Sequence, residues 1–323
     1  MKAVWFKNYG SPEKVIQIKE LPIPQPKAEE VLVKVHATTV NDSDWSLVRG
    51  KPYLYRLFFG LSKPKNPIPG MELSGTIEQS GKKVDKWKKG DAVMGDISDY
   101  GFGSFAEYVC IHQDALVTKP NHLSFEEAAA IPHASTLAQQ ALEDLGQISS
   151  KERVLINGAG GGVGSLGLQI AKMYDCEVTG VDSSAKLEKM RALGFDEVID
   201  YQKTDFTKNG LRYDLILDCK SSKSPFSYLR ALNKNGRYIS IGGKVGRLIS
   251  ILFWGKLISK LSGKRMQILN LQMNKNLEGI AEKMKAWPLE ELIDGPHSLE
   301  EAGRLIKYFG EGKHYGKVVI KVR

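Results

Sequence analysis

The feature of this chain that most constrains its fold is a glycine-rich turn set between two apolar segments. An apolar run at residues 154–156 precedes the turn, and Val163, Leu166 and Ile170 follow at the spacing of one helix face. This order predicts a strand, a tight turn at residues 158–164 and a helix. Glycines let backbone N–H groups approach a phosphate closely, and a helix N-terminus adds a favourable dipole. The segment therefore predicts a site for the pyrophosphate of a dinucleotide.

The residues around the turn indicate a Rossmann unit, although the strict G-x-G-x-x-G pattern is missed by one residue. Counting back from Gly164, the second glycine is Gly161, and the first position holds Ala159. Glycine-rich turns alone are a weak signal because they also serve as plain turns. A second apolar run strengthens the signal, because it ends in Asp182, 18 residues after Gly164. An acid at about that distance meets the adenosine ribose in dinucleotide-binding folds.

Length and composition indicate a two-domain globular enzyme. The 323 residues are too many for one ordinary core. Apolar residues make up 42% and charged residues 26%, which is ordinary for a globular enzyme. The three cysteines are scattered without a C-x-x-C pair, which argues against a disulfide framework and against a cysteine-built zinc site. We therefore expect a cytoplasmic protein.

The net charge of +9 is spread along the chain, and we interpret it as a solvated basic surface. Attraction of an anionic cofactor or weak nucleic-acid binding is the alternative. Since no aromatic-interleaved RNA motif occurs, we expect no nucleic-acid partner. Residues 1–6 contain no long apolar stretch, so we expect no signal peptide. Residues 245–258 are too short and too charged for a simple membrane span, and we expect a helix over the cofactor cleft or at a subunit contact.

The pattern of elements changes twice along the chain. Residues 1–121 show short alternating runs punctuated by Pro and Gly, which suits a partly open antiparallel barrel. A capping box at Ser124 then opens a helix, and strands alternate with helices, which predicts a parallel sheet with right-handed crossovers. The last strand, 316–322, is expected to rejoin the first domain. We therefore predict a doubly wound domain of 122–262 inserted in a domain of 1–121 and 263–323.

Four motifs extend this prediction to a family. They are VNDSDWSLVRG at residues 40–50, PGMELSG at 69–75, IPHASTLAQQAL at 131–142 and GAGGGVG at 158–164. Together they resemble the medium-chain dehydrogenase/reductase superfamily and, within it, the zinc-independent quinone oxidoreductase branch. The resemblance covers nearly the whole chain. It implies an α/β fold in which a Rossmann domain is inserted in a β-rich, GroES-like catalytic domain.

The resemblance also implies an activity. It is the transfer of a hydride from a nicotinamide cofactor to a quinone or an α,β-unsaturated carbonyl, across the cleft between the domains. A zinc-type alcohol dehydrogenase and a non-catalytic cofactor-binding interaction protein remain alternatives. The zinc enzymes place Cys, His and Cys where this chain has Asn41, Met71 and His133, and only His133 can ligate. Because a catalytic zinc needs three protein ligands, we expect no metal. His133 is interpreted as a pocket-lining or hydrogen-bonded residue, with a proton donor as the lesser alternative.

Several polar residues match positions near the reacting groups of the branch. Asn41 matches a side chain beside nicotinamide and substrate, or it caps a short helix beginning at Ser43. Asp44, a catalytic candidate together with Asn41, matches the inner polar network of the cleft, as do Arg49 and Glu72. For all three, a buried salt bridge that supports the fold is the alternative to a direct catalytic role. Two tyrosines, Tyr53 and Tyr55, either wall the substrate site or are surface aromatics. Tyr53 and His133 complete the expected substrate pocket.

The expected cofactor residues follow the glycine turn and the ends of the later strands. They are Asn41, Ala159, Gly160, Gly161, Gly162, Val163, Asp182, Ser183, Ser184, Lys186, Tyr201, Gly242 and Gly243. An acid at Asp182 favours NAD(H), whereas the hydroxyls of Ser183 and Ser184, a solvent-facing Lys186 and Tyr201 favour the 2′-phosphate of NADP(H). We expect NADP(H), with NAD(H) as the alternative. We also expect a homodimer through Rossmann edge strands near 237–243.

Overall fold

The computed structural model describes residues 1–323 and divides them into two compact units. The first unit comprises Met1–His133 and Met273–Arg323, and the second comprises Ala134–Gln272. The strands are β1 (Lys2–Phe6), β2 (Ile16–Glu20), β3 (Glu30–Thr39), β4 (Glu72–Ser80), β5 (Ala92–Asp96), β6 (Tyr108–His112), β7 (Val117–Thr118), β8 (Arg153–Asn157), β9 (Glu177–Asp182), β10 (Glu197–Asp200), β11 (Tyr213–Asp218), β12 (Leu232–Ser240), β13 (Arg265–Ile268), β14 (Ile293–Ser298) and β15 (Lys317–Lys321).

Helices alternate with the strands mainly in the second unit. They are α1 (Pro12–Val15), α2 (Asp42–Arg49), α3 (Arg56–Phe59), α4 (Phe125–Ala130), α5 (Pro132–Gln139), α6 (Gly162–Lys172), α7 (Leu187–Leu193), α8 (Pro225–Arg230), α9 (Val245–Ser262), α10 (Leu277–Lys283) and α11 (Ala302–Gly310). The fold class is the predicted α/β class, with a parallel sheet in the second unit and a mostly antiparallel sheet in the first. No helix combines the length and apolar character needed to cross a membrane.

The first unit is built on a seven-stranded sheet with the order β14-β15-β3-β4-β5-β7, in which β6 also pairs with β3. The final strand β15 runs antiparallel to β3, with Val319 opposite Thr39, so it joins the N-terminal strands as expected. Alternate residues of β3, namely Val31, Val33 and Val35, are fully buried because one face of the sheet covers a core. This pairing brings residues from the two ends of the chain side by side.

The second unit holds a six-stranded parallel sheet with the order β10-β9-β8-β11-β12-β13. Residues 154–156 of β8 are buried without alternation, as expected for a central parallel strand covered on both faces. The chain continues from β8 to β9 on one side, and β11 lies on the other side. The carboxyl ends of β8 and β11 therefore form the switch point at which such sheets bind ligands.

Two expectations about boundaries differ from the structure. The units change at residues 133/134 and 272/273, later than the expected 121/122 and 262/263. One reason is that Ala129 and Ala130 of α4 pack with Ala37 and Val319 in the core of the first unit. The other is β13, which pairs in parallel with β12 and extends the second unit's sheet. The expected edge near 237–243 was therefore wrong, because β12 is internal and β13 is the edge strand.

Candidate functional site

A buried polar network in the first unit is centred on the carboxylate of Glu72, at the start of β4. Its Oε2 accepts hydrogen bonds from Thr39 Oγ1 (2.5 Å), Asn41 Nδ2 (2.7 Å) and Lys317 Nζ (2.5 Å). Its Oε1 accepts the backbone N–H of His133 at 2.6 Å. Glu72 is fully buried, and a buried carboxylate is tolerated when it is paired and hydrogen-bonded in this way.

Lys317 is the cation of this network and was missed by the sequence analysis. It begins β15, is buried, and also donates to Asn41 Oδ1 at 2.8 Å. The available signal was a lysine at the start of an otherwise apolar buried run, but no local spacing links it to Glu72. The expected cation, Arg49, was wrong: its guanidinium lies 4.0 Å from the Trp45 ring centroid instead. It stacks there because it ends α2, on the helix's outer side.

Asn41 both caps helix α2 and belongs to the buried polar network, which were the two alternatives for this residue. Helix α2 begins at Asp42, one residue before the expected start at Ser43, and Asn41 is its N-cap residue. Its backbone N–H donates to Asp44 Oδ2 at 2.8 Å. Its carboxamide, however, is held by Lys317, by Glu72 and, through Nδ2, by Thr39 Oγ1 at 3.2 Å. The amide is therefore fixed in one orientation.

Asp44 joins helix α2 to the 69–75 turn. Its carboxylate is fully buried and accepts the backbone N–H groups of Asn41 and Gly70, each at 2.8 Å. Burial raises the pKa of Asp44 to about 7, although the two N–H donors act in the opposite direction. Its contacts show it as a residue that positions α2.

His133 is a hydrogen-bonded histidine. Its Nδ1 lies 2.7 Å from Asp96 Oδ2, and the Asp96 side chain is buried. Burial would raise the pKa of Asp96, but the hydrogen bond and charge of His133, with the bonds from Ser98, outweigh it and leave that pKa below its usual value. The imidazole is therefore oriented by a carboxylate.

The tyrosines of the following loop lie on the surface. Tyr53 is 66% exposed, and its ring has Arg56 at 4.9 Å and Lys51 at 5.7 Å from the centroid. Tyr55 is also exposed. Neither tyrosine joins the Glu72 network.

The glycine turn of the second unit approaches its neighbours too closely for side chains. A Cβ on Gly164 would lie 2.5 Å from Ala159 Cα, and one on Gly160 would lie 2.6 Å from Lys186 Cδ. Helix α6 begins directly after Gly161, and its first turn holds no acidic residue. A glycine loop that leads into the positive end of a helix fits a pyrophosphate.

Asp182 and Lys186 form a pair beside this loop. Asp182 Oδ2 accepts the Gly160 N–H at 2.9 Å, and Oδ1 accepts the Ser183 N–H at 2.8 Å and lies 3.6 Å from Lys186 Nζ. The expectation of a solvent-facing Lys186 was wrong: it is buried because its alkyl stem packs in the space left by Gly160. Tyr201 lies at the same end of the sheet, where its N–H donates to Asp182 O at 3.1 Å. Ser184 is exposed next to this pair.

In the second unit, the buried carboxylate of Asp218 joins three neighbouring strands near their carboxyl ends. It accepts hydrogen bonds from Asn157 Nδ2 and Tyr238 OH, each at 2.7 Å, and burial raises its pKa. The sequence analysis missed it. Gly242 and Gly243 follow β12 nearby, and a Cβ on Gly243 would lie 2.4 Å from Ser221 O. A glycine is therefore required there.

Comparisons with known proteins identify the family. Residues 27–121 match the alcohol dehydrogenase GroES-like domain, and residues 193–320 match the zinc-binding dehydrogenase family. The chain is 29% identical to a chloroplast envelope quinone oxidoreductase homolog of Arabidopsis thaliana, over 99% of this chain and 98% of that protein. It is 31% identical to a 2-methylene-furan-3-one reductase of Solanum lycopersicum, over 99% and 79%. The quinone oxidoreductase structure from Coxiella burnetii superimposes with a TM-score of 0.85 at 27% identity, over 100% and 99%.

The chain belongs to the medium-chain dehydrogenase/reductase superfamily. Within that superfamily its relatives place it among the quinone oxidoreductase-like members. It is therefore an oxidoreductase that uses a nicotinamide cofactor.

Many dehydrogenases of this superfamily use zinc, and the residues at the ligand positions here do not fit it. The Asn41 carboxamide is engaged by Lys317 and Glu72, Met71 is buried in the core, and only His133 offers an imidazole. No group of three or more His, Cys, Asp or Glu residues lies close enough together to hold a metal ion. A catalytic zinc needs three such ligands and an open position.

Proposed function

We propose that this chain is an NADPH-dependent, zinc-independent reductase that transfers a hydride to a quinone or an α,β-unsaturated carbonyl. The single observation that carries the proposal is the Lys317–Asn41–Glu72 network, which holds the Asn41 carboxamide in one orientation with side chains alone. The names of the relatives specify quinones and a methylene-furanone, both conjugated electron acceptors. Such acceptors take a hydride without strong acid catalysis.

Different residues of the chain would bind different parts of the cofactor and the substrate. When bound, NADPH supplies the hydride from its nicotinamide ring. The loop from Ala159 through Gly160 and Gly161 would lie against the pyrophosphate, while the backbone N–H groups of Gly162 and Val163 and the α6 dipole would hold it. The N–H groups of Ala159 and Gly160 already donate to Val181 O and to Asp182 Oδ2, and they shape the loop. Gly242 and Gly243 stay predicted cofactor residues on the same sheet end. Asn41 would meet the nicotinamide amide or the substrate oxygen.

Support for NADPH over NADH comes from the Asp182–Lys186 pair. A free Asp182 carboxylate would repel a 2′-phosphate, but here Lys186 and two N–H donors balance its charge. Ser183, Ser184 and Tyr201 lie at the same end of the sheet and would supply hydroxyl donors. An NADH-dependent enzyme is the alternative in which Asp182 binds the ribose diol.

The reduction leaves negative charge on an oxygen of the substrate. The hydride bonds to the electrophilic carbon, the π electrons move to the oxygen, and water protonates the resulting enolate or hydroquinone anion. A preorganised donor at that oxygen lowers the barrier. We propose Asn41 as the group that touches the reacting molecules, and Lys317 and Asp44 as positioning residues. His133 and Tyr53 stay predicted pocket residues.

Turnover in the presence of a chelator tests the proposal. NADPH oxidation is measured with 9,10-phenanthrenequinone and 1,2-naphthoquinone, before and after EDTA, together with zinc analysis of the purified protein. We expect turnover that EDTA leaves unchanged. Stoichiometric zinc lost together with activity would instead identify a zinc enzyme. Failure of both NADPH and NADH to bind at millimolar concentration would favour an interaction protein.

Assembly and location belong to the proposal as well. We propose a homodimer through the open edge of β13, since an unpaired edge strand is a ready template for a second copy. We also propose the cytoplasm, because the three cysteines Cys110, Cys176 and Cys219 are free thiols.

A further inference from the structure

Helix α9 of the second unit buries only a narrow face. Ile251, Gly255 and Ile258 are buried, at the spacing of one helix stripe. A Cβ on Gly255 would lie 2.8 Å from Met266 O, and Ser259 Oγ accepts the Met266 N–H at 3.3 Å. The helix is therefore seated firmly on β13 along this stripe.

Much of the remaining helix surface is apolar and exposed. The exposed apolar side chains include five that are 45% to 76% exposed, namely Ile249, Leu252, Phe253, Leu257 and Leu261. The aromatic pair Phe253–Trp254 continues to Phe226 of α8, with the Phe226 and Trp254 ring centroids 5.8 Å apart. The five residues above, together with Trp254 and Phe226, are called the α9 surface. Contiguous apolar surface of this kind marks a binding face.

The α9 surface lies in a stretch without acids. No Asp or Glu occurs between Asp218 and Glu278, and the same stretch holds twelve Lys and Arg residues. Four of these cations, Lys244, Arg247, Lys256 and Lys260, are exposed on or directly before α9. Within this stretch of the chain, every charged neighbour of the apolar side chains is therefore a cation.

We infer that the α9 surface docks on an anionic lipid bilayer, with α9 lying in the plane of the interface. Exposed Leu, Phe and Trp combined with Lys and Arg is the composition of interfacial helices. The long lysine side chains extend to lipid headgroups while apolar neighbours enter the acyl boundary. The helix lies on the bilayer, because it is not long and apolar enough to cross one.

The charge decides between the bilayer and other occupants. A second copy docked through the same face in a two-fold dimer would bring two sets of four cations together, which is unfavourable. A nucleic acid would use the cations but leave the apolar side chains without a partner. A bilayer with acidic headgroups satisfies both features. Vesicle binding is read without turnover, so this inference and the proposed reductase activity fail independently.

Co-sedimentation of the full chain with vesicles tests the inference. Vesicles of phosphatidylcholine with phosphatidylglycerol are compared with pure phosphatidylcholine at low and high salt. We expect binding to the anionic vesicles, weaker at high salt. Phe253→Ser/Leu257→Ser should lose most of the binding, and Lys256→Gln/Lys260→Gln should lower partitioning by roughly tenfold or more. The matched control Lys82→Gln/Lys285→Gln removes two exposed lysines elsewhere and should bind as wild type.

The changed residues are exposed, so far-ultraviolet circular dichroism should show every variant folded. Equal binding to both vesicle types would overturn the inference, as would an equal loss in the control variant. If Phe253→Ser/Leu257→Ser binds vesicles as wild type does, and a DNA duplex displaces the protein from the vesicles, the α9 surface is a nucleic-acid surface instead. If the wild type does not bind vesicles, and light scattering shows that it is an oligomer while Phe253→Ser/Leu257→Ser is a monomer, the α9 surface contacts a second copy of the chain instead.

Discussion

At the scale of residues, the first unit depends on one charge pair that the chain assembles from its two ends. Lys317 and Glu72 are both buried, so neither charge is solvated by water. Removing one partner of such a pair costs roughly 3–5 kcal/mol, because the other charge stays buried and unpaired. The same lysine also orients Asn41, so its loss should affect stability and activity separately.

Lys317→Met should lower kcat for quinone reduction by roughly a hundredfold, since Asn41 Oδ1 loses its donor. It should also lower the melting temperature. The double variant Lys317→Met/Glu72→Gln removes both charges and should regain much of the stability while kcat stays low. A double variant with wild-type kcat would show that Lys317 is only structural.

Asp44 should make stability depend on pH. Its folded pKa is raised by burial to about 7, above its ordinary unfolded value, so ionisation is disfavoured in the fold. Its contribution is therefore most favourable at low pH and is lost as pH rises from about 4 to about 7. The unfolding free energy of wild type minus that of Asp44→Asn should fall by roughly 4 kcal/mol over this range.

Denaturant titrations at several pH values measure this difference. Asp42→Asn, an exposed change in the first turn of the same helix, is the matched control. A difference between wild type and Asp44→Asn that stays constant from pH 4 to pH 7 would contradict the raised pKa.

The sequence could predict the site residues that follow local rules. Gly160, Asp182 and Asn41 lie at strand or helix ends whose spacing is visible in the chain. Lys317 could not be placed, because its partners are assembled by β15 pairing with β3, far away in sequence. The burial of Lys186 was equally hidden, since it depends on the space beside a glycine in another loop.

At the scale of elements, the loop from β8 to α6 depends on backbone contact. Gly164 fits only because a Cβ would meet the Ala159 backbone. Gly164→Ala should therefore destabilise the chain by roughly 1–3 kcal/mol and weaken NADPH binding, measured by thermal unfolding and fluorescence titration. Gly246→Ala is the control, since nothing lies within 4 Å of its added Cβ. Unchanged stability and affinity in Gly164→Ala would contradict this role of the loop.

Most elements could be predicted from the periodicity of apolar residues and from the Pro and Gly residues between them. The elements that were missed explain why the boundaries of the two units differ from the expected ones. β8 contains the predicted apolar run 154–156, because a central parallel strand is buried on both faces. β13 was missed because its four residues include Arg265 and Gln267, and an edge strand does not need a continuous apolar run. The capping box at Ser124 was visible, but nothing local shows that α4 packs on the first unit.

At the scale of the whole molecule, the open β13 edge predicts assembly. Light scattering at micromolar protein should give twice the mass of a single chain. The dimer should persist at high salt, because backbone pairing along an edge strand is not an ionic contact. A monomer mass under these conditions would contradict the homodimer but leave the fold of each unit unaffected.

Hydride transfer from a nicotinamide to an electrophilic carbon can be followed by isotope labelling. The enzyme is supplied with an enone and NADPH deuterated at the transferred C4 position, in ordinary water. The saturated ketone is then analysed by mass spectrometry and NMR. We expect one deuterium per product molecule at the β-carbon, with the α-proton from water. A product without deuterium at that carbon, or no turnover with either NADPH or NADH, would contradict it.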